Sequence, residues 1–386
     1  MSQASTDPLF TPWKVGNLQL KHRIVMAPLT RNRATPSTAA PNDLIGEYYE
    51  QRASDGGLLI TEATYPSAEA GGYPNTPGLY TEEHVKEWKK VTDRVHAKGG
   101  AIFVQLWALG RANTGATGIK VVSSGDITDN SGSTGGAGGG DRQQPTPLSL
   151  EDIKRYQQSF AQSAKYAVQA GFDGIELHGA HGYLLDQFTQ KSANNRTDEY
   201  GGSKENRARF VLETIKACAD AIGEEKVAIR LSPYSHFQGM HNPDNIEVFT
   251  YLCEQIHKNH PNFGYVHMVE SRADPAKLGN WAVASGHDDE AETLDVYRKV
   301  FEGSATAFLS AGGYTAEIAR EVVKNKGGAV VFGRLFISNP DLPYRLRDGL
   351  ELTPYDRSTF YTTGPEGYIT YESISQPPTR PVSRGV

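Results

Sequence analysis

The chain has 386 residues, enough for two domains or one large α/β barrel, and its 38% hydrophobic residues suffice for either core. A net charge of -6 argues against nucleic acid as a partner, and no apolar run approaches the roughly 20 residues of a membrane span. The opening Met1-Ser-Gln-Ala-Ser-Thr-Asp-Pro8 lacks the basic and apolar parts of a secretion signal, and the final Ser-Arg-Gly-Val is no peroxisomal tripeptide. Cys218 and Cys253 fall in predicted helices, so a cytoplasmic protein with reduced, buried thiols is expected.

In chain order, residues 14–20 read as half of a hairpin placed to close the bottom of a barrel. Short apolar, β-branched runs then predict strands at 23–27, 58–61, 101–106, 174–177, 227–231, 265–269, 307–310 and 329–332. Helical periodicity fills the gaps at 43–53, 82–98, 150–170, 204–222, 245–259, 288–301, 316–326 and 340–350. Thr81 and Ser149 stand where helix caps belong, and Gly99-Gly100, Gly171 and Gly223 follow helix ends. This strand–helix alternation predicts one domain over 1–386, a single (β/α)8 TIM barrel with an N-terminal hairpin. A doubly wound sheet is the weaker choice, because no Gly-x-Gly-x-x-Gly follows a strand. Residues 114–147 break the rhythm with a Gly/Ser-rich insertion after the third barrel strand. It is either a flexible surface segment or a lid over the catalytic face.

The most informative stretch is Glu176-Leu-His178-Gly-Ala-His181-Gly-Tyr183, where a predicted strand ends in two imidazoles and a phenol. Imidazole N–H groups hold an oxygen that gains negative charge, and a phenol of pKa about 10 protonates only a strongly basic carbon such as that of an enolate. The set points to conjugate reduction rather than hydrolysis. His-x-x-His also suits a metal, but no convincing third ligand lies nearby, and no metal is expected.

Catalytic residues of a barrel sit at the C-terminal ends of its strands. Those ends here carry Pro28, Leu29 and Thr30, then Gln105 and Trp107, the His178/His181/Tyr183 cluster, Arg230, Gly312 and Gly313, and finally Gly333 and Arg334. Two glycine turns on successive strands plus Arg334 suit a phosphate, although a bare Gly-Gly is more often an ordinary turn. Gln105 offers a donor and an acceptor to a heterocycle, and Arg230 is a permanent cation; each is alternatively a structural partner in the barrel mouth.

His-Arg-Ile-Val-Met-Ala-Pro-Leu-Thr-Arg31, Val-Gln-Leu-Trp107, the His-x-x-His-x-Tyr turn, Asn195-Arg-Thr-Asp-Glu-Tyr-Gly-Gly-Ser203 and Phe-Gly-Arg334 together resemble the Old Yellow Enzyme family of FMN-dependent ene-reductases, its fungal members included. The resemblance implies non-covalent FMN, with Thr30 on the pyrimidine carbonyl nearest the reactive edge and Pro28, Leu29 and Ala63 lining the ring. It implies Gln105 on the pyrimidine edge, Arg230 where charge collects on reduction, Phe360 beside the flavin, and Gly312, Gly313, Gly333 and Arg334 on the phosphate. It further implies His178 and His181 on the substrate oxygen, Tyr183 as proton donor, and Trp107 and Tyr361 shaping the substrate pocket. The implied reaction reduces the activated C=C bond of an enone, enal or nitroalkene with NADPH in two successive half-reactions. The relatives include monomers and homodimers, so the resemblance leaves the oligomeric state open.

Overall fold

The computed structural model describes residues 7–132, 142–240, 242–273 and 292–374. Eight parallel strands close into a barrel: β3 (Ile24–Met26), β4 (Leu58–Ile60), β5 (Ala101–Leu106), β8 (Gly174–Gly179), β9 (Val227–Leu231), β10 (Tyr265–Val269), β11 (Ala307–Ala311) and β12 (Ala329–Phe332). Closure comes from β12 pairing with β3, Phe332 opposite Met26. Every residue of β5, β8, β10 and β12 is buried, which is why apolar residues occupy both faces of these strands rather than alternating, with Gln105, Glu176, His178 and His267 as polar exceptions.

Ahead of the barrel, β1 (Trp13–Val15) and β2 (Leu18–Leu20) form an antiparallel hairpin with Trp13 opposite Leu20. Trp13, Val15 and Leu20 join Val25, Leu58, Phe103 and Tyr265 in the cluster that fills the barrel, so the hairpin plugs its lower end, although residues 14–20, expected to be half of it, hold nearly the whole of both strands. A second cluster packs the outer faces of the strands against helices. Among these are α1 (Asp43–Arg52), α2 (Glu82–Ala97), α3 (Leu150–Gln169), α5 (Lys204–Ile222), α6 (Asn245–Asn259) and α8 (Ala316–Lys326). Their starts follow from local chemistry. Thr81 accepts the His84 N–H at 3.2 Å, and Ser149 and Asp152 cap each other reciprocally at the head of α3. Cys218 and Cys253 are buried thiols on α5 and α6.

Two predicted helices came out differently, and two short helices were not foreseen. The helix expected at 340–350 is α10 (Leu342–Asp348), and a short helix not foreseen, α9 (Arg334–Ser338), precedes it. Asn339 precedes Pro340 and is driven out of the helical region, to φ -128° and ψ 84°. The helix expected at 288–301 begins outside the described residues; within them it is α7 (Asp295–Arg298) followed by a 3-10 turn at Lys299–Phe301. A helix not foreseen, α4 (Leu184–Thr189), follows the His/Tyr turn; its six residues are all buried and too few to show a period.

The insertion is anchored at both ends. Its strands β6 (Val122–Ser123) and β7 (Thr146–Pro147) pair in parallel, and Arg196 donates to Ser124 O (2.9 Å) and Leu148 O (2.7 Å), one on each flank. Ser124 Oγ donates to Gln187 O at 2.7 Å. Most of its glycine run lies at 133–141, outside the described residues. No helix among the described residues is long and apolar enough to cross a membrane.

Candidate active site

At the C-terminal face of the barrel lies a cavity of about 720 Å³, within the range that encloses a cofactor or drug-sized ligand. Every residue singled out in the sequence lines it. Pro28, Leu29, Thr30, Ala63, Gln105 and Arg230 line it. Trp107, His178, His181 and Tyr183 line the end on the side of β5 and β8, and Gly312, Gly313, Gly333 and Arg334 the end on the side of β11 and β12, across the ring of strands, with Phe360 and Tyr361 also lining the cavity.

The His/Tyr end is built by β8 and the turn after it. His178 is the penultimate residue of β8 and pairs with Arg230 on β9. His181 stands in the left-handed region at φ 55°, a conformation a non-glycine residue keeps only when its surroundings impose it. They do. Ser232 Oγ accepts its N–H at 2.8 Å, and Gln238 Nε2 donates to its carbonyl at 2.8 Å. Asp186 accepts the Gly182 N–H at 2.9 Å, which completes the turn and delivers Tyr183 to the head of α4. The ring centroids of His178 and Tyr183 are 4.8 Å apart, those of His178 and His181 6.1 Å, and Tyr183 meets Trp107 edge-on at 4.4 Å.

Burial, then the Arg230 cation, holds both imidazoles well below the usual 6.5, so each is neutral at neutral pH. The tautomer of His178 follows from its surroundings: Nδ1 accepts the Ala180 N–H at 3.3 Å, leaving Nε2 to carry the proton. Burial also holds the Tyr183 phenol well above 10, in its protonated form. The turn thus presents N–H donors and a hydroxyl, all uncharged, to one end of the cavity. Among the described residues no three His, Cys, Asp or Glu side chains gather as a metal site would require.

At the opposite end, Gly313 has φ 65°, where a side chain would be strained, and a Cβ on Gly312 would lie 2.6 Å from Glu270 Cβ. Arg334 donates to the Tyr355 hydroxyl at 3.2 Å. The segment carrying Phe360 and Tyr361 is held over this region by two buried arginines that sequence reasoning did not single out. Arg31 donates to Phe360 O (3.1 Å) and Gly367 O (2.8 Å), while Arg33 reaches Phe360 O (3.0 Å) and Thr359 O (2.9 Å). The clue was available in Arg31 and Arg33, two arginines flanking one residue right after a strand end.

Tyr73 was also missed. It lines the cavity with Tyr183 and donates to Ala112 O at 3.3 Å, the same carbonyl that accepts from Arg142 of the insertion. No motif announces it, because it reaches the site from the loop after β4.

The donor set suits a flavin. Arg230 Nε is buried with no partner in the protein, Gln105 faces the same space, and the cavity is long enough to run from ring contacts to a glycine-and-arginine end. A closed parallel barrel with this donor set at its catalytic face fits a barrel oxidoreductase of the flavin-binding class. The comparisons with known proteins agree. Residues 8–353 match the model of the NADH:flavin oxidoreductase / NADH oxidase family. The chain is 43% identical to 12-oxophytodienoate reductase 1 of Oryza sativa subsp. japonica, over 97% of this chain and 96% of the relative. It is 45% identical to the NADP-dependent oxidoreductase lnbE of Aspergillus flavus (95% and 97% covered) and to chanoclavine-I aldehyde reductase fgaOx3 of Penicillium roqueforti (94% and 95%). The chain belongs to the NADH:flavin oxidoreductase / NADH oxidase family, within the Old Yellow Enzyme group that its motifs resemble, and is a flavin oxidoreductase.

Proposed function

We propose that this protein is an ene-reductase that uses NADPH and FMN to reduce the activated C=C bond of α,β-unsaturated carbonyl or nitro compounds in two half-reactions at one site. The observation that carries the reading is the convergence of two neutral imidazoles and a protonated phenol at one end of a ring-sized cavity. The names of two relatives, an NADP-dependent oxidoreductase and an oxophytodienoate reductase, support the donor and the substrate class.

FMN, when bound, supplies the hydride chemistry between nicotinamide and alkene. Pro28, Leu29, Thr30 and Ala63 would hold its ring, with Gln105 and Arg230 on the pyrimidine side. Gly312, Gly313, Gly333 and Arg334 would hold its phosphate, and Phe360 would pack beside it. His178 Nε2–H and His181 bind the substrate oxygen, withdrawing electron density from the alkene and orienting its β-carbon for hydride. Tyr183 gives its proton to the α-carbon as the β-carbon receives hydride, and the resulting phenolate recovers a proton from solvent, so each turnover consumes NADPH and one proton. Trp107 and Tyr361 bound the substrate space. Arg142 of the insertion stays close to Tyr73 and Tyr183.

The test is an anaerobic absorbance spectrum of the purified protein before and after NADPH, followed by 2-cyclohexen-1-one. A flavin spectrum that bleaches with NADPH and returns with the enone is expected. No flavin signal after added FMN overturns the cofactor assignment, and bleaching without recovery overturns the alkene as acceptor.

A further inference from the structure

We propose that Glu176, a carboxylate sealed inside the barrel, is a positioning residue of the cofactor end, locking the Gln105 amide in one orientation and counterbalancing the Arg230 cation. The inference rests on reading the cavity as an FMN site. Glu176 lies on β8 two residues before His178 and is completely buried, in surroundings where a charge persists only if it is paired.

Its partners leave little freedom. Oε1 accepts from Gln105 Nε2 at 2.7 Å, and Oε2 lies 2.8 Å from His267 Nδ1. An ionised carboxylate only accepts hydrogen bonds, so the amino group of Gln105 must face Glu176. The carbonyl oxygen of Gln105 is therefore turned away from Glu176, an acceptor left for a donor on the pyrimidine edge of a ring. The strand register enforces the pair, since Gln105 on β5 stands directly opposite Glu176 on β8.

The same logic fixes His267. Its Nδ1 must carry the proton given to Glu176, which leaves Nε2 as an acceptor, buried and without a partner. His267 sits opposite Arg230 in the β9–β10 pairing, and Arg230 Nε is likewise buried without a partner. Glu176 is the anion that acts on this arginine. Without it the cavity floor would carry an uncompensated positive charge beneath the ring. Glu176 thus has two separable effects: hydrogen-bond geometry through Gln105, and net charge through Arg230.

Two substitutions separate them. Glu176→Gln removes the charge and keeps the shape, and Glu176→Asp keeps the charge and shortens the reach. FMN affinity is read by titrating FMN into each apoprotein, and the midpoint potential of each holoprotein by equilibrium dye titration, with circular dichroism to verify folding. For Glu176→Gln the potential should shift in the positive direction, because unopposed Arg230 favours the more negatively charged reduced ring. For Glu176→Asp the potential should stay near wild type while the FMN dissociation constant rises about tenfold, the effect of loosening one buried hydrogen bond. An unchanged potential in folded, FMN-loaded Glu176→Gln overturns the charge role, and unchanged FMN affinity in Glu176→Asp overturns the positioning role. A lowered melting temperature with both readouts unmoved leaves a structural role only and likewise overturns the proposal. Failure of the wild-type apoprotein to bind FMN is a different result: it removes the flavin reading itself, and this inference with it.

Discussion

The two ends of the cavity are built on different plans. The His178/His181/Tyr183 end comes from one strand and the turn after it, and side chains buried beneath it fix each backbone group of that turn. The opposite end is assembled from the turns after β11 and β12 and from a C-terminal segment that lies more than 300 residues from the arginines holding it. A group that must donate or protonate with sub-ångström precision is set on a rigid element, whereas a group that only neutralises or covers tolerates placement by loops.

The comparison can be broken most sharply at the proton donor. Tyr183→Phe should slow alkene reduction by about 10²–10⁴-fold while NADPH still reduces the flavin at near wild-type rate. Equal losses in both half-reactions, read by stopped-flow absorbance, would remove Tyr183 from the proton-donor role. His178→Ala deletes the donor whose tautomer is fixed by Ala180, and should weaken binding of a phenolic ligand about 10–100-fold. Unaltered titration of that ligand would mean that the oxygen sits elsewhere.

At the other end, Arg33→Ala should free the 359–366 segment, since Arg33 donates to Thr359, Phe360, Gly364 and Glu366 carbonyls. Limited proteolysis should then cut this segment several-fold faster, while the spectrum of a phenol bound at the His/Tyr end stays the same. If both ends respond, they are one mechanical unit and the contrast is wrong. A smaller effect is expected from Arg142→Ala, roughly a tenth to a third of wild-type kcat/KM for the enone, because it shares the Ala112 carbonyl with Tyr73 rather than meeting substrate. A steady-state comparison with Arg142→Lys tests whether the cation is what matters.

The smallest effect is on stability. Burial raises the Asp186 carboxyl from 3.8 to about 7. Between those values the folded chain holds a proton that the unfolded chain has lost, so this group makes stability fall as pH rises from about 4 to about 7. Asp186→Asn should remove that contribution, flattening the melting temperature against pH by at most one proton's worth over this window. An unchanged slope would place the titration on another buried acid such as Glu62, also raised to about 7.

The sequence by itself determined the strand–helix alternation, and with it the barrel, because strands buried on both faces must be mostly apolar and surface helices must keep one apolar stripe. It also determined the membership of the cavity, since barrel geometry brings every strand end to one face whatever the loops do. His178, His181 and Tyr183 were legible because they are contiguous. Tyr73, Arg31 and Arg33 were not, because each acts through a partner that only folding brings near. Short α4 and α9 escaped a reading based on periods of several turns. Only the tertiary structure decided the protonation states: an imidazole or a carboxyl has no fixed charge until burial and its neighbours set the cost of ionising it, and those neighbours come from other strands.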